Sequence, residues 1–172
     1  METLPLFITK EDVAKLLDVA HGVHVTHFDT FIREAQLFDL KPILCEDFYY
    51  DVLYNKNTEP YATLLNGGNY IYNGRTYTFL GLKAVLAYFT YARFIMKSSN
   101  TSTSYGNVTK INPFSEPMSQ QEKRNLYYNY QKEANMIYQD VVKYLDRNSI
   151  LFPSYACRCG KSNTRPFKTT VL

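Results

Sequence analysis

Three histidines lie at intervals of three residues near the amino terminus, and this spacing could gather metal ligands. A helix through His21, His24 and His27 would place two imidazoles on one face, where a zinc ion could bind. Gly22 and the β-branched residues between the histidines disfavour a helix there. The sequence therefore predicts a loop with three polar residues, and a metal-dependent enzyme that uses these histidines stays an alternative.

Two cysteines near the carboxy terminus, Cys157 and Cys159, are the second possible set of metal ligands. A structural zinc site usually draws on two separated pairs of ligands, and no second pair lies nearby in the sequence. With Cys45 they are too few and too oddly placed for a disulfide framework. The amino terminus has no signal-peptide pattern, so we expect synthesis in a reducing cytoplasm and inert thiols.

The adjacent acidic pairs Glu11-Asp12 and Glu46-Asp47 do not predict a catalytic site. Neighbouring residues on a helix point about 100° apart, so their carboxylates do not converge on one substrate. The sequence also has no phosphate-binding glycine loop, nucleophile elbow or zinc-protease helix. We therefore expect no catalytic residues and no cofactor, and we predict that the protein is not an enzyme.

The net charge of +3 is unevenly distributed along the chain. Residues 149–172 contain four basic residues and no acidic residue. The four are Arg158, Lys161, Arg165 and Lys168. A basic tail favours an anionic partner, so a small nucleic-acid-binding regulator that uses this tail is the alternative function.

The longest apolar run, residues 79–97, predicts a buried central helix. Its helical stripe consists of Leu82, Val85, Leu86, Phe89, Arg93 and Met96. Further apolar and small residues fill the other faces, which is typical of a helix surrounded by neighbours. Lys83 and Arg93 interrupt the run, which is also marginal in length for crossing a bilayer, so we expect the spine of a soluble domain.

The remaining pattern predicts a mainly α-helical bundle, with residues 1–148 as one helical domain. A long final helix over residues 119–147 begins at a Ser119–Glu122 capping box, and its apolar residues recur at steps of four and three. Residues 69–78 predict a β-hairpin around an Asn73-Gly74 type I′ turn. Pro42 is expected to break or restart a helix. Residues 149–172 predict an extended basic arm without helical periodicity.

Tyrosine is common in this chain, with 16 copies, and it suits surfaces that meet a partner. On the final helix Tyr127, Tyr128 and Tyr138 fall off the predicted core stripe. They are our candidates for a subunit interface. The alternative is that these rings cover the neighbouring hairpin within one chain.

The order of these elements resembles a protein family. The segments are FIREAQLFDLKPIL, then Y…LLNGG…Y…G leading into GLKAVLAYFTYARFI, then TSYGNVTKINPFSEPMS and the long final helix. Together they are similar to the head-completion proteins of tailed bacteriophages, which connect head and tail. The similarity spans about residues 9–153 and is greatest to the versions in phages and prophages of Bacteroidetes, including the crAss-like group.

The resemblance implies a structural virion protein without a catalytic site. Such proteins form a ring, usually of twelve copies, beneath the portal, extend the DNA channel and present a docking surface to the next tail or neck protein. They are assembled in the host cytoplasm and reside at the neck of the virion. The implied partners are further copies of the chain, the portal protein and the next ring protein. DNA would pass without sequence-specific binding, no membrane is involved, and the basic arm would grip the portal or a neighbouring subunit.

Overall fold

The computed structural model describes residues 5–19, 22–98, 100–103, 106–109 and 118–158, and it is mainly helical, as the sequence predicts. The first elements are α1 (Lys10–Ala14), α2 (Val25–Ala35), a π-helical turn (Gln36–Leu40), α3 (Lys41–Leu44), α4 (Glu46–Asn55) and α5 (Tyr61–Asn66). They are followed by β1 (Gly68–Tyr72), β2 (Arg75–Phe79), α6 (Gly81–Lys97), β3 (Asn100–Thr103), β4 (Gly106–Thr109), α7 (Gln120–Arg147), a 3-10 turn (Ser149–Leu151) and α8 (Pro153–Arg158).

Helix α6 is the central element of the bundle, and the prediction of a buried spine is confirmed. It contacts α7, α2, α5 and α1. Leu82, Val85 and Leu86 are fully buried, and the small residues Ala87 and Ala92 let neighbouring helices approach closely. In the described part of the chain, no helix is both long and apolar enough to span a membrane.

Helix α7 packs along α6 and is the longest element, with 28 residues. The Ser119 hydroxyl accepts from the backbone N–H of Glu122, and the Glu122 carboxylate accepts from the backbone N–H of Ser119, so the predicted capping box is present. At 1.5 Å per residue the helix is about 42 Å long.

The predicted β-hairpin is also present. Strands β1 and β2 pair antiparallel, and the two turn residues Asn73 and Gly74 both have positive φ, 49° and 73°, as a type I′ turn requires. Tyr70 and Tyr77 stand opposite each other, and their rings stack at 5.6 Å.

A second hairpin, β3 with β4, was not predicted. Its strands pair from Asn100 with Thr109 to Thr103 with Gly106. The segment is rich in Ser, Thr and Asn and lacks the alternation of apolar and polar residues that signals a strand. The sequence pattern therefore predicts no strand in this segment.

The helix break predicted at Pro42 lies instead at Cys45. The chain stays helical from α2 through the π-helical turn into α3, with Pro42 near the start of α3. Proline lacks an N–H and clashes with the carbonyl four residues earlier. The wider hydrogen-bonding pattern of the preceding π turn accommodates both effects. Cys45, with φ 63° and ψ 155°, separates α3 from α4.

The amino-terminal segment is anchored by a buried amide, that of Gln36. Its Oε1 accepts from the backbone N–H of Phe7 at 3.0 Å, while its Nε2 donates to the carbonyl of Pro5 and to the Tyr49 hydroxyl. Every polar atom of this fully buried side chain thus has a partner, which removes the cost of its burial. The π-helical turn begins at Gln36 and so positions this anchor.

The prediction of an extended arm from residue 149 is wrong for residues 149–158. These residues form the 3-10 turn and α8, and the Phe152 side chain is 0% exposed. Its ring packs edge-on against Phe48 and Tyr61, and the Ser154 hydroxyl donates to the Asp51 carboxylate at 2.5 Å. The helical domain therefore continues to Arg158, and residues 159–172 lie outside the described residues.

Candidate interaction surfaces

The histidines of the sequence analysis do not form a cluster in the described structure. His24 precedes α2, and His27 lies in its first turn with its ring edge-on to Phe31 at 5.0 Å. The sequence predicted a loop over the three histidines. This prediction is wrong for His27, because α2 begins at Val25. His21 lies outside the described residues. Within the described ranges no group of three His, Cys, Asp or Glu residues could hold a metal ion.

The acidic pairs have structural roles. The Asp12 carboxylate accepts from the backbone N–H of Thr9 and from Lys15, and it completes the capping box of α1. Burial raises the pKa of Asp12, but the hydrogen bonds from Lys15 and Thr9 outweigh this effect, so its pKa lies below the ordinary value. Glu46 pairs with Lys41 at 2.7 Å on the surface. Neither pair presents two carboxylates to one substrate.

The prediction that Tyr138 belongs to a subunit interface is wrong. Its side chain is 5% exposed, and its hydroxyl donates to the backbone carbonyl of Ile43 at 2.8 Å. Burial also raises the pKa of Tyr138 strongly. The buried residues of α7 include Ala134, Tyr138 and Val141, and the Tyr138 hydroxyl reaches the Ile43 carbonyl of α3 while the helix packs along α6.

Tyr127 and Tyr128 remain at the surface and stay candidates for an interface. Tyr128 is 58% exposed, and its ring lies edge-on to Tyr127 at 5.5 Å. Tyr127 is half-buried, and its pKa is raised by this burial and by the nearby carboxylate of Asp39. The exposed Tyr128 ring therefore contacts Tyr127, which in turn lies close to the charged side chains of Asp39 and Arg93.

Those charged groups centre on Arg93 of α6. The Arg93 guanidinium donates to both carboxylate oxygens of Asp39, from Nε at 2.6 Å and from Nη2 at 3.0 Å. It also lies 3.6 Å from Glu34. Burial by itself would lower the pKa of Arg93. The hydrogen bond to Asp39 and the charges of the two carboxylates outweigh this effect, so the pKa is raised and the side chain stays charged. Sequence reasoning placed Arg93 on the core stripe without its partners.

The Arg93 guanidinium also lies 5.6 Å from the ring centre of Phe38, a side chain that is mostly exposed. We call Phe38, Tyr127 and Tyr128 the Tyr128 surface. Phe38 was missed by the sequence analysis, although an aromatic residue next to the charged Asp39 on a helix was a usable signal.

Substitution of Asp39 by asparagine should test the Arg93 pair. Asp39→Asn keeps the shape but removes the charge, and we expect a loss of roughly 1–3 kcal/mol in the free energy of unfolding. The two side chains are only 16% and 13% exposed, so water screens the pair weakly. Urea denaturation measures the loss.

The matched control for this substitution is Asp140→Asn. Asp140 pairs with Lys143 on α7 at 2.8 Å, but these side chains are 55% and 60% exposed. We expect a loss below about 0.5 kcal/mol for the control. Equal losses in the two variants would show that burial of the Arg93 pair has no effect on stability.

A second exposed apolar group lies at the carboxy-terminal end of α7. There the Arg147 guanidinium lies 4.1 Å from the ring centre of Tyr77 and 4.7 Å from that of Tyr72, and it donates to the Tyr70 hydroxyl at 2.8 Å. These contacts fix the first hairpin against α7. Sequence reasoning did not identify them, because they join residues 70 or more positions apart.

Two apolar side chains in the 3-10 turn that follows α7 are exposed, Ile150 and Leu151. Ile150 is 94% exposed. We call these two residues the Ile150 surface. Ile150 and Leu151 are adjacent apolar residues just after the helix. This signal was present in the sequence, but the segment was predicted to be an arm.

The two surfaces lie toward opposite ends of α7. Tyr128 is in the first third of the helix, whereas Arg147 is its last residue. Nineteen residues separate them, which corresponds to about 28 Å along the axis. The molecule therefore exposes two different apolar surfaces that one partner cannot cover by a single small contact.

The basic residues proposed for docking lie at or beyond the end of the described chain. Arg158 is the last residue of α8, and its side chain is outside the described part. Lys161, Arg165 and Lys168 lie outside the described residues. Their role in binding a partner stays a prediction.

Comparison with known proteins identifies a family. A family model described as a family of unknown function, DUF6712, matches residues 40–165. The match begins at the last residue of the π-helical turn and includes α6, α7 and α8. Neither a curated protein nor a solved structure is significantly similar to the chain.

Proposed function

The chain belongs to DUF6712, a family of unknown function, and we propose that it is a structural subunit of a tailed-phage virion. In this proposal the copies form a ring beneath the portal, extend the DNA channel and join the head to the tail or neck. The subunit performs no catalysis and needs no cofactor. It is made in the host cytoplasm and resides at the portal vertex. The resemblance in the order of elements supports this choice.

The observation that carries the proposal is the pair of separate apolar surfaces. A ring needs a heterologous contact, in which one surface of each copy meets a different surface of the next. The Tyr128 surface and the Ile150 surface provide two such areas near opposite ends of α7. A two-fold dimer would need only one self-complementary surface.

The charges of α7 fit a protein that DNA passes without being held. The helix contains five basic and four acidic residues, so it presents no continuous positive surface to phosphates. Each phosphate contact made by a lysine or arginine adds to affinity through counterion release. A channel lined with mixed charge would therefore let packaged DNA slide, without sequence-specific binding.

The first experiment is the mass of the purified protein in solution, alone and mixed with the portal protein of the same genome. We expect a ring-sized species, formed either by the chain alone or only in the presence of the portal. Light scattering coupled to gel filtration gives the copy number. A chain that stays monomeric in both samples would contradict the proposal.

Two surface variants test the heterologous contact directly. Tyr128→Asp and Ile150→Asp each put a charge into one surface, and burying an unpaired charge in an apolar contact is costly. We expect each variant alone to lose the ring. A mixture of the two should form heterodimers, because each variant still has the surface that the other lacks.

The matched control is Met136→Asp. Met136 is exposed on the middle of α7, outside both surfaces, so the ring should form as in the unaltered protein. If the mixed variants stay monomeric although each is folded by circular dichroism, the two surfaces do not bind each other. Loss of the ring in the Met136 variant would place the contact elsewhere on α7.

A further inference from the structure

Cys45, at the break between α3 and α4, forms a disulfide bond. The sequence contains only two other cysteines, Cys157 and Cys159. The sequence predicted inert thiols at Cys157 and Cys159 and no disulfide framework among the three cysteines. An intrachain bond at Cys45 would instead connect the body of the domain to the carboxy-terminal end of the chain.

The backbone at Cys45 is held in an uncommon conformation. Its φ of 63° with ψ of 155° is a combination that residues with a Cβ adopt rarely. Its carbonyl nevertheless accepts from the Tyr49 N–H at 2.9 Å and so opens α4. Such conformations persist where surrounding contacts fix them, and a covalent link through the side chain is one contact of this kind.

Helix α8 is packed next to this part of the structure. The Tyr155 ring lies 5.1 Å from the ring of Phe48, which is one helical turn after Cys45 on α4. Ser154 donates to Asp51 on the same helix. Tyr155 is two residues before Cys157 and four before Cys159. Bonded cysteines need Cα atoms about 5.5 Å apart, and this packing brings the end of α8 to the right region.

We infer that Cys45 bonds to Cys157 or Cys159, and that this bond is a redox-sensitive lock that holds α8 on α4. When the bond is closed, α8 is tied covalently to the junction of α3 and α4. When it is reduced, α8 is held only by its packing and hydrogen bonds. The inference does not rest on the proposed function, because the bond can be measured in the isolated chain.

The chemistry of closure needs an oxidant, for which a small disulfide such as oxidised glutathione suffices. One protein thiolate attacks the small disulfide, forms a mixed disulfide and releases one small thiolate. The second protein thiolate then attacks the mixed disulfide, forms the protein bond and releases the second small thiolate. Two protein thiols are thereby oxidised, and one small disulfide is reduced to two thiols.

Peptide mapping identifies the bonded pair. Free thiols are blocked with iodoacetamide, and the protein is cleaved by trypsin without reduction. Trypsin cuts after Arg158 and so separates Cys157, in peptide 148–158, from Cys159, in peptide 159–161. We expect the Cys45 peptide linked to one of these two after treatment with oxidised glutathione. Recovery of Cys45 as a blocked thiol, or linked to a second Cys45, would overturn the inference.

Limited proteolysis tests the lock. The Phe152–Pro153 bond resists chymotrypsin, but the enzyme cleaves after Tyr155 only when α8 leaves the body, since the Tyr155 ring is buried. A cross-link across a long loop suppresses opening, so we expect cleavage of the oxidised protein to be at least about tenfold slower than that of the reduced protein. Equal rates in the two states would overturn the lock.

The matched control is Cys45→Ser, which retains every other contact of α8. We expect its cleavage rate to equal that of the reduced protein and to show no response to reductant. One of the variants Cys157→Ser and Cys159→Ser should behave in the same way, and the other should behave as the unaltered protein. A Cys45→Ser variant that still responds to reductant would overturn the inference.

Discussion

Replacing Gly81 with alanine is expected to destabilise the protein by more than about 4 kcal/mol, which is enough to prevent folding. Gly81 is the first residue of α6 and has φ 79°. A Cβ there would lie 2.3 Å from the backbone nitrogen of Gly67 and 2.5 Å from the carbonyl oxygen of Leu65. Both neighbours are backbone atoms, so they cannot move aside without separating α5 from α6.

Alanine substitutions at two other glycines distinguish the steric clash of a Cβ at Gly81 from the cost of its positive φ. Gly74 has a similar φ of 73° but no atom within 4 Å of its would-be Cβ, so Gly74→Ala should cost about 1–2 kcal/mol. Gly22→Ala, which has open space around it, should change stability by less than about 0.5 kcal/mol. Soluble yield and urea denaturation give the comparison. A Gly81 variant no less stable than the Gly74 variant would show that close packing of α5 on α6 is unimportant.

Replacing Phe152 with alanine should cost about 3–5 kcal/mol in the free energy of unfolding. The ring is fully buried among Phe48, Tyr61 and Tyr144, and its removal leaves a cavity among these rings. The effect would be large for a residue that the sequence pattern assigned to an extended arm. Thermal or urea denaturation monitored by circular dichroism measures it.

The neighbouring Ile150 provides the matched control for Phe152. Ile150→Ala removes an apolar side chain that is almost fully exposed, so the free energy of unfolding should change by less than about 0.5 kcal/mol. Truncation adds a second comparison. A chain ending at Arg158 should fold, whereas a chain ending at Leu151 should be destabilised at least as much as the Phe152 variant. Similar stability of both truncated chains would mean that α8 does not belong to the core.

The elements that the sequence predicted well are those with short-range signals. The capping box at Ser119 depends on residues three positions apart, and the Asn73-Gly74 turn depends on two adjacent residues. The period of α6 is also a local pattern. Each of these signals is decided by backbone conformation and by the alternation of apolar and polar residues within a few turns.

The candidate sites were predicted less well, because contacts distant in sequence decide them. Tyr138 was assigned to an interface because it falls off the predicted core stripe, whereas its side chain is buried and its hydroxyl donates to the Ile43 carbonyl of α3. Phe152 has no periodic partners in the sequence, yet it fills a space between α4, α5 and α7. The partners of Arg93 lie more than 50 residues away.

By itself the sequence determined that this is a helical domain with a central apolar helix, a long capped helix and a tight hairpin. It also located the surface tyrosines Tyr127 and Tyr128. Only the tertiary structure decided which side chains stay exposed, that residues 149–158 pack on the helical body and that the helix break lies at Cys45. The physical reason is that burial depends on the shape of the space between elements, and that space exists only after the elements have packed together.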